Sequence, residues 1–74
     1  MRTLQLTAVI EREDEGFVAL CPELDIASQG GSVDEARAML REAIELFFEC
    51  AEEAEVQRRL TAERYVLPME VNVA

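Results

Sequence analysis

Histidine is absent from this chain, lysine and tryptophan are absent too, and two cysteines, two prolines and three glycines are all it spends on those residues in 74 positions. Each gap excludes something. Without histidine there is no imidazole general acid–base and no Ser-His-Asp or Cys-His constellation. Cys21 therefore has no histidine to activate it and is a poor nucleophile. Cys21 and Cys50 form neither a disulfide framework nor a Cys-x-x-Cys or Cys/His cluster, so a zinc site is not supported. Both are expected to be small buried hydrophobes in a reducing, cytoplasmic setting. All seven cations are arginines, and the longest basic block is Arg58-Arg59. Direct binding to a nucleic-acid backbone needs clustered cations, so it is not expected. No apolar run approaches the ~20 residues of a membrane span, and the N-terminal stretch lacks the apolar core of a signal peptide. There is no repeat, no low-complexity stretch and no composition shift, which predicts a single domain over residues 1–74.

What is present is apolar and acidic. Half of the residues are hydrophobic and the net charge is -9. A chain this short buries only about 60% of its unfolded surface, so apolar material in such proportion suits a small domain that shares its surface with a partner subunit. The acidity either keeps the protein soluble or steers it toward a basic partner.

Four segments read as strands. Thr3 to Arg12 alternates, with Leu4, Leu6, Ala8 and Ile10 on one face. Glu13 to Gly16 is a turn, with Gly16 free to take positive φ, and Phe17 to Cys21 completes a hairpin. Pro22 stops the ladder, and Leu24 to Gln29 is a weaker third strand ended by Gly30-Gly31. Ser32 with Glu35 three residues on is a capping box, the glutamate reaching back to the Ser32 amide. The helix it opens runs from Val33 to about Ala54, with Val33, Ala36, Leu40, Ala43, Ile44, Phe47, Cys50, Ala51 and Ala54 on the buried side. Val56 and Leu60 fall out of phase, and residues 55–63 read as a bend with a short helical turn. Tyr65, Leu67, Met69, Val71 and Val73 alternate in a fourth strand, which Pro68 places at an edge or bulge. The predicted fold is α+β, β-β-β-α-β, a four-stranded mixed sheet in the order 3-2-1-4 with one helix on one face.

The order resembles the first half of an RNase H-like nuclease, but the middle of the first strand carries Leu6, Thr7, Ala8 and Val9, where such enzymes place metal-binding carboxylates. Glu11, Glu13, Asp14 and Glu15 come only at its end. No metal, no cofactor and no catalytic residue are expected. Amides at the start of the helix face Ser32, Asp34 and Glu35, which read as a cap and leave an anion site there disfavoured. Two features exceed the needs of a monomer. Glu45, Glu49, Glu52, Glu53 and Glu55 gather near the negative end of the helix, with repulsive i,i+4 pairs Glu45–Glu49 and Glu49–Glu53 worth a few tenths of a kcal/mol each and Arg41 offsetting one. They form either a solvated face or a docking face. Phe48 falls roughly 120° from the centre of the apolar stripe, at ~100° per residue, near Arg37 and Arg41. It either packs on arginine stems or anchors an interface.

The run Gly16-Phe17-x-Ala19, Pro22-Glu23-Leu24, Ser28-x-Gly30, Asp34-Glu35-Ala36 and Glu42-Ala43-Ile44 resembles the HicB-type antitoxin family over about two thirds of the chain. The chain departs from it where the family often has a glycine after the Pro-x-Leu-x segment; Asp25-Ile26-Ala27 stands there. The resemblance implies a partial RNase H-like fold without nuclease activity. It also implies a partner, a small basic, double-stranded-RNA-binding-like toxin of HicA type whose mRNA-cleaving surface the antitoxin covers. Family members commonly form dimers or higher oligomers and often carry a DNA-binding domain after this module, which is not expected here. Partner-facing residues are expected at Glu45, Phe48, Glu49, Glu52 and Glu53. The alternative is a stand-alone homo-oligomeric HicB-like interaction module without a toxin. A dimer is expected in either case, with the fourth strand one place for it.

Overall fold

A computed structural model describes residues 3–74. Its elements are β1 (Val9–Glu13), β2 (Gly16–Cys21), β3 (Ile26–Gly30), α1 (Val33–Cys50) and α2 (Glu53–Thr61). The architecture is α+β, and the strands form one antiparallel sheet in the order β1-β2-β3. The expected fourth strand and the 3-2-1-4 order are not formed within the chain. Residues 63–74 carry neither helix nor strand and lie exposed.

The β1–β2 hairpin pairs Glu13 with Gly16 across two turn residues, and Asp14 takes the left-handed backbone at φ 54°, whereas no glycine does. An aspartate tolerates that region because its short polar side chain bonds locally. The expectation of a positive φ at Gly16 is thus corrected. Gly16 and Gly30 serve close approach instead. A Cβ on Gly16 would lie 3.0 Å from the Gly30 carbonyl oxygen, and one on Gly30 would lie 2.5 Å from the Ala36 amide nitrogen. The end of β3 therefore seats directly under the first turn of α1.

The cap works as expected in one half. Ser32 Oγ accepts from the Glu35 amide at 3.1 Å. The Glu35 carboxylate, however, takes the Gly31 amide and not that of Ser32. α1 lies mainly on β3 and β2, where Ala19, Ser28, Gly30 and Ala36 are small enough for close packing, and only grazes β1. The fully buried residues are Ala19, Cys21, Leu24, Ala36 and Leu40. Leu6, Ile10, Phe17, Ile26, Ile44, Phe47, Phe48 and Leu60 are partly buried around them.

The helix ends four residues earlier than its apolar periodicity predicts. Ala51 is extended (φ -77°, ψ 148°), and Glu52 (φ -68°, ψ 150°) opens α2. The break resets the phase, so Leu60, out of register with one long helix, packs on the core, while Cys50 and Ala54 are exposed. Cys21 is buried as expected; Cys50 is not. α2 is tied down by Arg59, which bonds the Leu24 carbonyl at 2.6 Å and stacks 4.8 Å from the centre of the Phe47 ring.

Candidate interaction surface

Because α1 crosses the sheet on its β2–β3 side, space opens between α1 and the segment preceding β1. A groove of about 610 Å³ runs there, walled by residues 3–8 on one side and by Arg37, Leu40, Arg41, Ile44, Glu45 and Phe48 on the other. Residues 3–8 have no sheet partner and are fixed at Thr7. Its amide and hydroxyl donate to the two carboxylate oxygens of Glu23 at 3.1 and 2.6 Å. Burial pulls the Glu23 pKa upward, but these bonds, its own amide and the Cys21 thiol outweigh it and leave the carboxyl below its ordinary value. The Cys21 thiol donates to the same carboxylate at 3.4 Å and is pushed upward, chiefly by burial.

On the other flank of α1, a second concavity of about 430 Å³ is lined by Ser28, Met39, Ala43 and Leu46 and rimmed by Glu42, Glu45 and Glu49. Glu45 borders both hollows and so stands on the ridge between them. Met39 and Leu46 are 39% and 57% exposed, an apolar strip inside an acidic rim. Sequence reasoning missed this strip, although Met39 and Leu46 are seven residues apart, two helical turns, on a line beside the core stripe.

The five residues expected to face a partner do not form one cluster. Glu45 and Glu49 are exposed on α1. Phe48 is half-buried, set edge-on to Phe47 at 5.4 Å between ring centres, and presents one side to the groove that Arg37 and Arg41 also line. Glu52 and Glu53 lie beyond the break, Glu53 in the first turn of α2. The break changes the electrostatics. Glu53 and Glu55 stand at the positive end of α2 and Arg58 and Arg59 at its negative end, the arrangement a helix dipole favours. Glu55 pairs with both arginines, 2.7 Å from Arg59, and they hold its carboxyl below its ordinary range. α1 differs: its last turn carries no cation, and among the described residues no ion pair involves Glu45 or Glu49. Of the two helices, α1 is therefore the one whose C-terminal acidity no cation in its last turn offsets.

Among the described residues no group of three or more carboxylates or thiols converges on a metal-sized site, and no helix is long and apolar enough to cross a membrane. Glu13, Asp14 and Glu15 surround a shallow hollow at the hairpin tip, while Glu11 stands on the face of the sheet away from the helix.

The chain is similar to the UPF0150 protein ssl0738 of Synechocystis sp., with 49% identity over 47 residues, which is 61% of this chain and 65% of that protein, just under two thirds of its length. No family model matches the chain, and no solved structure matches it.

Proposed function

We propose that this chain is a non-catalytic protein of the HicB-like antitoxin type, which binds a small basic RNA-cleaving toxin and competes with RNA for its surface. One observation carries the reading: the exposed carboxylates of Glu45 and Glu49, which form no ion pair among the described residues, rim the apolar strip of Met39 and Leu46 on one flank of α1. An apolar centre within a charged border is the anatomy of a protein-binding surface, and carboxylates along a helix mimic a run of phosphates toward arginines and lysines. The motif resemblance from Gly16 to Ile44 and the similarity to the Synechocystis protein support a shared module, although the name of that relative states no activity.

The test is co-expression with a small basic RNA-cleaving protein of HicA type, read as growth rescue and co-purification. The Glu45→Arg/Glu49→Arg variant is expected to lose binding at least about 100-fold, in line with the few kcal/mol that like-charge juxtaposition costs at an interface. The wild-type complex is expected to weaken with salt. No complex and no rescue would sink the reading. It would leave the stand-alone homo-oligomeric module, which the exposed apolar residues of segment 65–73 favour independently.

A further inference from the structure

Two arginines stand where nothing in the fold employs them. Arg37 and Arg41 are exposed on α1, one turn apart, and among the described residues neither forms an ion pair. Like charges at i,i+4 repel and weaken a helix. The chain has sixteen acidic residues against seven arginines, so two arginines set side by side without a bonded carboxylate run against its composition. Arg12, Arg58 and Arg59 are engaged by contrast. Arg12 lies 4.6 Å from the centre of the Phe17 ring, and Arg58 and Arg59 pair with Glu55. Arg37 and Arg41 instead line the groove of about 610 Å³ between α1 and residues 3–8, beside Leu6, Leu40, Ile44 and Phe48. That volume is within the range of small-molecule sites, and an apolar lining with a few convergent polar groups is their usual composition. One wall is already fixed in place, because Glu23 holds it at Thr7.

We infer that this groove binds a medium-chain alkyl carboxylate, its head on Arg37 and Arg41 and its chain along Leu6, Leu40, Ile44 and Phe48. The order of residues along α1 sets the orientation. Arg37 and Arg41 come first, Leu40 and Ile44 follow, and Phe48 closes the line, about 16 Å from Arg37 at ~1.5 Å per residue. Glu45 borders the groove one turn beyond Arg41 and repels an anion from the Phe48 end. A guanidinium presents its donors in a planar fork that a carboxylate accepts in two parallel bonds, so the pair of arginines selects that head. The ligand is singly charged, because a chain of net charge -9 disfavours a higher one. The same net charge repels the chain from an anionic bilayer, so the ligand is taken up free and not from a membrane surface. The chain of the ligand is aliphatic, because Leu6, Leu40 and Ile44 line most of the length and Phe48 alone is aromatic. The site lies on the flank of α1 away from Met39 and Leu46. It is therefore separate from the toxin-binding reading, and its test needs no partner protein.

The experiment titrates the full chain with decanoate below its micelle concentration, followed by calorimetry and by methyl NMR. Saturable one-to-one binding is expected, weakened by added salt. Octanoate is expected to bind more weakly, by up to about fourfold for each methylene removed. The methyls of Leu6, Leu40 and Ile44 should shift on binding, while those of Met39 and Leu46 on the other flank stay in place. In the Arg37→Gln/Arg41→Gln variant both altered residues are exposed and a like-charge pair is relieved, so circular dichroism is expected to be unchanged. Its decanoate affinity is expected to fall at least about tenfold, since charge-assisted bonds are lost. Decanol, which has no charge to lose, should bind the variant and the wild type alike. No binding of monomeric decanoate, equal decanoate affinity in the Gln variant, affinity independent of chain length, shifts at Met39 and Leu46 as large as those at Ile44, or binding only to phosphatidylglycerol vesicles would each overturn the inference.

Discussion

Glu23 is the residue on which the N-terminal edge depends. Its two carboxylate oxygens accept from the Thr7 amide and hydroxyl, and a third bond comes from the buried Cys21 thiol. All three require the ionised form or are strengthened by it. With its folded pKa held below the ordinary value, Glu23 favours the folded state fully above that ordinary value. The contribution disappears as pH falls through the lower, folded one. Acidification is therefore expected to release the Thr7 amide before the sheet unfolds. Residue-resolved hydrogen exchange should show Thr7 protection lost with a midpoint below the usual glutamate range, while Ala19 stays protected. Glu23→Gln should abolish that pH step. An unchanged Thr7 titration in the Gln variant would mean that some other group holds the segment. Glu23 was legible in the sequence only as part of the Pro22-Glu23-Leu24 motif. Its bonding partner lies sixteen positions away, a separation that neither periodicity nor turn chemistry reports.

At the scale of elements, the hairpin, the stop at Pro22, the Ser32 cap and the buried face of α1 through Ala36, Leu40, Ile44 and Phe47 were legible because each depends on local chemistry: turn residues, a missing amide, a side-chain oxygen at the right offset. The break at Ala51 was not. Residues 33–54 keep an apolar period through Cys50 and Ala51, and no glycine or proline interrupts them. What ends α1 is tertiary: α2 gains Leu60 on the core and Arg59 on Phe47 and the Leu24 carbonyl, contacts that a straight helix would carry away from the body. Arg59→Ala removes a charge-assisted hydrogen bond, a stacking contact and an ion pair, and is expected to cost about 2 kcal/mol. The loss should fall on α2 alone, seen as reduced helical circular dichroism and early amide exchange over residues 53–61 with α1 intact. Arg59→Lys should recover little, since a point ammonium cannot both stack on the ring and span the two acceptors. Equal exchange in α2 before and after the substitution would show that Leu60 holds the element by itself. The fourth strand failed for a related reason: alternation at 65–73 states what the segment can do, and an edge must be present to make it do so.

The whole molecule sets its smallest term against its largest. Five buried residues among those described make a thin core, and a chain of this size is marginal without a staple, a metal or a partner. The apolar content that made half of the sequence hydrophobic has not gone into that core. It lies along the 65–73 segment, at Met39 and Leu46 on α1, and at Val9 and Leu20 on the open face of the sheet. If the segment pairs between copies, association adds to the stability of the folded single copy, and stability rises with protein concentration by mass action. The melting temperature is then expected to climb by several degrees over a hundredfold increase in concentration, since each kcal/mol moves a domain of this size by roughly 4–8 °C. Added salt should raise it further by screening two chains of net charge -9. In a Leu67→Glu/Val71→Glu variant the melting temperature should be independent of concentration and equal to that of dilute wild type. A wild-type melting temperature constant over the same range would place all of the stability in the single copy, and the five-residue core with its half-buried surround would have to supply it unaided.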